Sequence, residues 1–334
     1  MTLTTSAYER AVRDQPEVVG TIADIIRNND DFLIVGHLRP DGDCLGSCLG
    51  LKHLLQNMGK KARFYTHGPL PDFFSYLPGF QDILTTRPHD CTGPTLCVDS
   101  ADPERVHETF SPTGLVVNID HHISNTCYGT VNWVDSEATA AGEQIYHLAA
   151  ALDQPITAAI ATCLYTALMT DTGGFRFSNT DDITFRVASS LVEAGADPAA
   201  IAEAVFDSRK PGAVKLTGEI YATLNYEFGG QFVWNEVTQK MFDDAGGADA
   251  EPEGLSSDLR SIQGVEVSVL LYETPEAQCR IGFRSRGKVN VAELAALLGG
   301  GGHHNASGAL IREPYLKARD HALATIRHYL STRL

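Results

Sequence analysis

The chain has 334 residues, 43% of them hydrophobic, enough for two domains with substantial cores, which excludes a disordered protein. Its formal net charge is −16; a protein that tracks long nucleic acid carries a basic stripe instead. Bulk electrostatic binding of long polyanions is thereby excluded, while a small anion could still be held at a local basic spot or through metal ions.

In chain order, residues 6–30 read as a helix with Ala11, Val12, Val18, Ile22, Ile25 and Ile26 on its apolar face. Phe32 to Val35 predicts a strand, 45–58 a helix stopped by Gly59, and 62–65 a second strand. A short aromatic turn at 72–77 precedes strands at 95–98 and 115–119. This alternation predicts a parallel α/β sheet. Helices follow at 138–151, 156–170, 184–193 and 198–205, with a linker at 207–212 and a helix at 215–224. Beyond about 226 the character changes: strands are expected at 228–237, 265–272 and 278–283, then a helix at 291–298 running into four glycines. The expected division is a first domain over 1–190, a helical connector over 191–225 and a smaller α/β domain over 226–334.

Seven scattered cysteines, an odd number without a C-x-x-C pair, point to reduced thiols in a cytoplasm. Met1 to Arg13 lacks the basic start and apolar core of a signal peptide. No run approaches the roughly 18 apolar residues of a membrane span, so no membrane partner is expected.

Four apolar elements end in Asp or His: Phe32–Val35 before His37-Leu38-Arg39-Pro40-Asp41-Gly42-Asp43, 94–98 before Asp99, 115–119 before Asp120-His121-His122, and 160–169 before Asp171. Strands of a parallel sheet bring their carboxyl ends to one edge, where ligands bind. Each segment alone has an ordinary structural explanation, such as a Pro-Asp-Gly turn or a glycine-stopped helix; four together point to one site. Asp and His without clustered Cys suit hard divalent ions, Mn²⁺ or Mg²⁺, rather than a structural zinc. Gly42 is read as allowing a tight loop, and Gly46-Ser47 as opening a helix whose N–H groups face a phosphate. Neighbouring histidines on an extended chain point opposite ways, so one of His121 and His122 should bind metal and the other touch substrate, with Asp120 orienting a ring. Asp171, at a helix end where the dipole disfavours negative charge, would gain from a cation. Asp102-Pro103 reads as a helix cap. Gly299 to Gly308, with Arg284-Ser285-Arg286-Gly287-Lys288 upstream, suggests a second anion pocket.

These segments resemble, in order, the motifs of the DHH phosphoesterase family, and nearly the whole chain resembles its nanoRNase/pAp phosphatase group, which carries a DHH-associated C-terminal domain. RecJ exonucleases are larger relatives. The resemblance implies an active site in the cleft between two domains. It implies that His37 and Asp41 hold one Mn²⁺, that Asp43 and His121 hold the other, that Asp99 bridges, and that Asp171 completes the set. His122 would contact the scissile phosphate, and Arg284 and His303 would bind substrate, with His304, Gly301, Gly302 and Ser307 in the same stretch. Cys44 stands where a small residue such as Ala is usual, and His304 doubles the signature histidine.

The implied substrates are short oligoribonucleotides of about two to four nucleotides, a range the resemblance carries and the absence of a basic stripe fits, and the nucleotide bisphosphate 3′-phosphoadenosine 5′-phosphate. Long nucleic acid is not an expected partner, and a homodimer is the assembly to test. Alternatives are a phosphodiesterase for cyclic dinucleotides or their linear dinucleotide products, a pyrophosphatase, disfavoured by the glycine-rich signature, and a catalytically dead nucleotide sensor.

Overall fold

The computed structural model describes residues 15–88, 90–107, 110–112, 114–247 and 255–334. The chain divides after Ser208 into two compact units. The segment 191–225, expected as a connector, is shared between them: the helix Pro198–Phe206 falls in the first unit and the helix Pro211–Ala222 in the second.

The first unit is built on five strands, β1 (Asp31–Val35), β2 (Lys61–Tyr65), β3 (Thr95–Val98), β4 (Val116–Asp120) and β5 (Val131–Val134). They run in the order β2-β1-β3-β4-β5, and every pairing is parallel. The expected parallel α/β sheet is therefore present, with β5 added beyond the strands read from the sequence. β1 shows why both faces are covered. Phe32 and Ile34 enter the large core with α1 (Pro16–Asn28), α2 (Gly42–Asn57), α4 (Ala141–Ala151) and α5 (Ala158–Asp171). Leu33 and Val35 enter a smaller core with Val106 and Phe110. Side chains that alternate across a strand feed two layers in this way. The helix expected over 6–30 is seen as α1; its part before residue 15 lies outside the described residues.

α2 begins at Gly42, three residues before the expected start, because the Asp41 side chain caps it by accepting the Cys44 N–H at 3.0 Å. Two expectations are corrected here. Gly42 is helical, and its missing Cβ makes room for Thr170 of α5. Gly46-Ser47 lies in the second turn, so its amides do not open a helix toward a phosphate; a Cβ at Gly46 would strike the Cys163 carbonyl. Gly42, Gly46 and Gly50, at i, i+4 and i+8, form a glycine stripe on which α5 lies. Asp102 caps α3 (Pro103–Val106), as its Asp-Pro sequence suggests. α6 (Asp182–Glu193) and α7 (Pro198–Phe206) complete the unit.

The second unit has six strands in the order β10-β11-β9-β8-β7-β6: β6 (Asn225–Glu227), β7 (Phe232–Val237), β8 (Val267–Glu273), β9 (Cys279–Ser285), β10 (Gly301–His303) and β11 (Ala306–Ile311). Only β7–β8 is parallel. One face packs on α11 (Val291–Ala296) and α12 (Tyr315–Leu330), the other on α8 (Pro211–Ala222), α9 (Gln239–Ala245) and α10 (Leu255–Arg260). Among the described residues, no helix is long and apolar enough to cross a membrane.

Candidate metal centre

His37 follows β1, Asp99 follows β3 and His121-His122 follow β4, so the sheet delivers all of them to its carboxyl edge. Asp43 comes from the first turn of α2 and Asp171 is the last residue of α5. The glycine stripe between these helices is what lets the start of one and the end of the other reach the same place.

Asp99 lies at the centre. Its backbone is left-handed, φ 56°, a conformation that costs energy for a residue other than glycine and is retained mostly at functional sites. Its Oδ2 lies 3.4 Å from His37 Nε2, and its Oδ1 lies 3.6 Å from His121 Nε2 and 3.5 Å from His122 Nδ1. His37 Nε2 is also 3.7 Å from Asp41 Oδ1, and His121 Nε2 is 3.5 Å from Asp43 Oδ2 and 4.0 Å from Asp171 Oδ2. The structure thus brings together all six expected ligands, with Asp99 between a His37/Asp41 side and an Asp43/His121/Asp171 side.

The outer atoms are held from behind. Leu38 O lies 2.9 Å from His37 Nδ1, and Ala138 O lies 3.2 Å from His121 Nδ1. Each carbonyl accepts from an Nδ1–H, which turns Nε2 toward the carboxylates, where it would offer its lone pair to a metal. Asp43 is fixed by three donors: Ser47 Oγ at 2.6 Å, and the N–H groups of Ala141 and Gly142 at 2.7 and 3.0 Å, at the start of α4. His122 Nδ1 is 2.7 Å from Asp120 Oδ1, and the Asn125 amide donates to Asp120 Oδ2 and to Asn118 Oδ1. Asp120 therefore orients His122, as one ring was expected to be held. The two rings are not on opposite sides: their centroids are 5.0 Å apart. β4 ends at Asp120, so strand alternation no longer applies at 121 and 122.

The electrostatics call for a cation. Burial pushes the Asp43 carboxyl well above its usual range, and the Asp99 charge adds to this. Burial works against charge on His121, yet Asp171, Asp43, Asp99 and Asp120 outweigh it and raise its pKa to about 10. Carboxylates crowded out of water strain toward a proton or a metal. His37 Nε2 and Asp99 Oδ1 are buried without a hydrogen-bond partner, although buried polar atoms are nearly always paired. Among the described residues of the first unit, three donor sets, His37/Cys44/Asp99, Asp43/Asp99/His121 and Asp99/Asp120/His122, have ligand atoms within 4.8 Å of one another and could each hold an ion. Asp and His donors fit divalent cations.

In the second unit the glycine-rich stretch is an edge hairpin. β10 pairs with β11 through Gly301↔Gly308, Gly302↔Ser307 and His303↔Ala306. Gly300 and Gly302 are needed because a Cβ on either would collide with β11 backbone; Gly301 meets nothing and stays exposed. Ser307 donates to the Val291 carbonyl at 2.5 Å, and a His304 ring nitrogen lies 2.9 Å from Gly287 O. Arg284 lies on β9 opposite Ala306 and Ser268. The Arg286 guanidinium donates to the carbonyls of Arg260, Ser261 and Ile262 at the end of α10, so its charge serves the fold.

The first unit thus sets a cluster of Asp and His side chains at the carboxyl edge of a parallel sheet, and the second unit carries a mixed sheet. Two family descriptions match the chain: the DHH family, N-terminal domain, over residues 31–168, and the DHHA1 domain over 235–332. A bifunctional oligoribonuclease and PAP phosphatase NrnA of Thermus thermophilus is 35% identical over 302 residues, covering 89% of this chain and 90% of the relative. The protein of the same name from Bacillus subtilis is 28% identical over 289 residues, with 84% and 90% covered. A solved structure of an exopolyphosphatase-related protein from Bacteroides fragilis superposes with a TM-score of 0.86 at 26% identity, covering 95% of this chain and 98% of that one. The chain belongs to the DHH phosphoesterase family.

Proposed function

We propose that this chain is a metal-dependent phosphoesterase that cuts short oligoribonucleotides to mononucleotides and 3′-phosphoadenosine 5′-phosphate to AMP and phosphate. The observation that carries the metal reading is Asp99, whose two oxygens face His37 and His121 separately, with His37 Nε2 and Asp99 Oδ1 buried and unpaired. The substrate reading comes from the relatives named as oligoribonuclease and PAP phosphatase at 28% to 35% identity over most of the chain.

In this reading His37, Asp41 and Asp99 hold one ion and Asp43, His121, Asp99 and Asp171 the other, Mn²⁺ first and Mg²⁺ second. When bound, a pair of such ions supplies water activation and neutralises charge on phosphoryl oxygens. His122, turned by Asp120 and Asn125, would donate to the phosphate. Arg284 and His303 would bind the remainder of the substrate through charge-assisted hydrogen bonds; this assignment rests on the likeness of their motif. The seven cysteines are all free thiols, which fits the proposed cytoplasmic location.

The test is a substrate panel of diribonucleotides, 3′-phosphoadenosine 5′-phosphate, cyclic dinucleotides and linear pApA, assayed with Mn²⁺. Turnover of the first two supports the proposal. Turnover of the cyclic dinucleotide alone would replace it with the phosphodiesterase alternative.

A further inference from the structure

We propose that Cys44 is a further donor, beside Asp41, at the metal position built on His37 and Asp99, and that its sulfur raises the affinity of that position for a thiophilic divalent ion such as Zn²⁺ relative to Mn²⁺. The inference rests on the reading that His37 and Asp99 hold a metal.

The thiol, one His37 ring nitrogen and one Asp99 oxygen all lie within 4.8 Å of one another. All three residues are buried: Cys44 is 0% exposed, Asp99 2% and His37 4%. His37 Nε2, 3.4 Å from Asp99 Oδ2, is buried without a hydrogen-bond partner. The sulfur is placed there by two local features. Asp41 caps α2 through the Cys44 N–H, which sets Cys44 three residues after Asp41 and seven after His37. Gly36, at the end of β1, has no Cβ; one there would collide with Cys44 Sγ. The strand end is thus open on the side the thiol occupies.

The chemistry sets the preference. Thiolate is a soft ligand that suits Zn²⁺, and Mn²⁺ prefers carboxylate and water. The thiol must lose its proton to solvent when it ligates, and a bound metal drives that loss. The donor set Asp43/Asp99/His121 contains no sulfur, so it gains no thiolate contribution to Zn²⁺ affinity. The prediction is a site with two unequal positions.

The experiment titrates the full-length apoprotein with Co²⁺, a spectroscopic stand-in for Zn²⁺, and follows the near-ultraviolet sulfur-to-cobalt charge-transfer band. Wild type, Cys44→Ser and Cys44→Ala are compared, with circular dichroism to confirm folding; the Ser variant is nearly isosteric and guards against a cavity defect. Wild type should show the band and both variants should lose it while still taking up Co²⁺. Competition with Zn²⁺ should show affinity falling roughly tenfold or more in the variants, with Mn²⁺ affinity little changed. A band that persists in the variants, or is missing from Co²⁺-loaded wild type, overturns the role of Cys44. An apoprotein that takes up no Co²⁺ overturns the metal reading as well.

Discussion

His121 and His122 are adjacent in sequence yet held by different partners, and this makes their roles separable. His121 Nε2 faces Asp43, Asp99 and Asp171, while His122 is gripped by Asp120. His121→Ala should lose metal and activity together. His122→Ala should keep its metal and lose rate, roughly 10²-fold or more if it donates to developing charge. Metal analysis and turnover on both purified variants decide this; equal metal loss would remove the distinction. At this scale the sequence was informative, because charged side chains after apolar runs have few structural reasons to exist. The supporting atoms were not legible. Nothing local marks Asn125 as the group that holds Asp120, and Ser47 gave only the i, i+4 spacing that lets it reach Asp43.

The helices set the precision of the site. α2 and α5 meet through glycines at 42, 46 and 50, and they carry Asp43 and Asp171. Gly46→Ala would place a methyl against the Cys163 carbonyl, backbone that cannot swing away. Overpacking of this kind costs about 1–3 kcal/mol and outweighs the helix-propensity gain of about 1 kcal/mol. Urea unfolding should show the loss, and metal affinity should fall with it.

α4 carries a second test. Burial raises the Glu143 pKa to about 7 and lowers that of His147 to about 4. Glu143 contributes stability that is full below its unfolded pKa of about 4.5 and is lost as pH rises through 7. His147 contributes stability that is full above its unfolded value of 6.5 and is lost as pH falls through 4. Between these limits the two oppose each other. In Glu143→Gln the first contribution is gone, so stability relative to wild type should rise more steeply with pH from about 4.5 to 7. Parallel pH–stability curves for the two proteins would contradict this.

Periodicity located most helices and the strands that lead into the site. It missed where α2 begins, because Asp41 acts as cap and candidate ligand at once, and a loop reading of Pro-Asp-Gly hid the cap. It missed β5, a short strand of four residues at the sheet edge. It gave no strand at β10, because the pairing of β10 depends on β11, which local composition does not reveal. α12 was also missed; its charged and polar positions dilute the apolar stripe of Ala318, Ala322, Ile326 and Leu330.

For the whole molecule, the net charge of −16 sets the expected substrate range. At this net charge, each nucleotide added beyond the site should bring repulsion and little contact. Catalytic efficiency should therefore peak at about two to four nucleotides and fall toward a strand of about twenty-four, with weak binding of long strands at physiological salt. Arg284→Ala should lower efficiency on a diribonucleotide and leave bound metal unchanged. A flat or rising length profile would return a long-strand exonuclease to consideration. The charge and the fold class were readable from composition and alternation, and the carboxyl-edge location of the candidate ligands followed from the parallel sheet. The boundary after Ser208 falls in the segment 207–212 read as a linker, while the wider connector 191–225 merged two helices that belong to different units.

The most direct test of the two-ion phosphoesterase account is Mn²⁺ uptake by wild type and Asp99→Asn, with diribonucleotide hydrolysis measured on the same samples. Asp99 is the one carboxylate that faces both histidines, so both positions depend on it. Wild type should bind two ions and turn over, while Asp99→Asn should bind fewer, remain folded and show no hydrolysis. Near-normal turnover by Asp99→Asn in saturating Mn²⁺ would contradict the account.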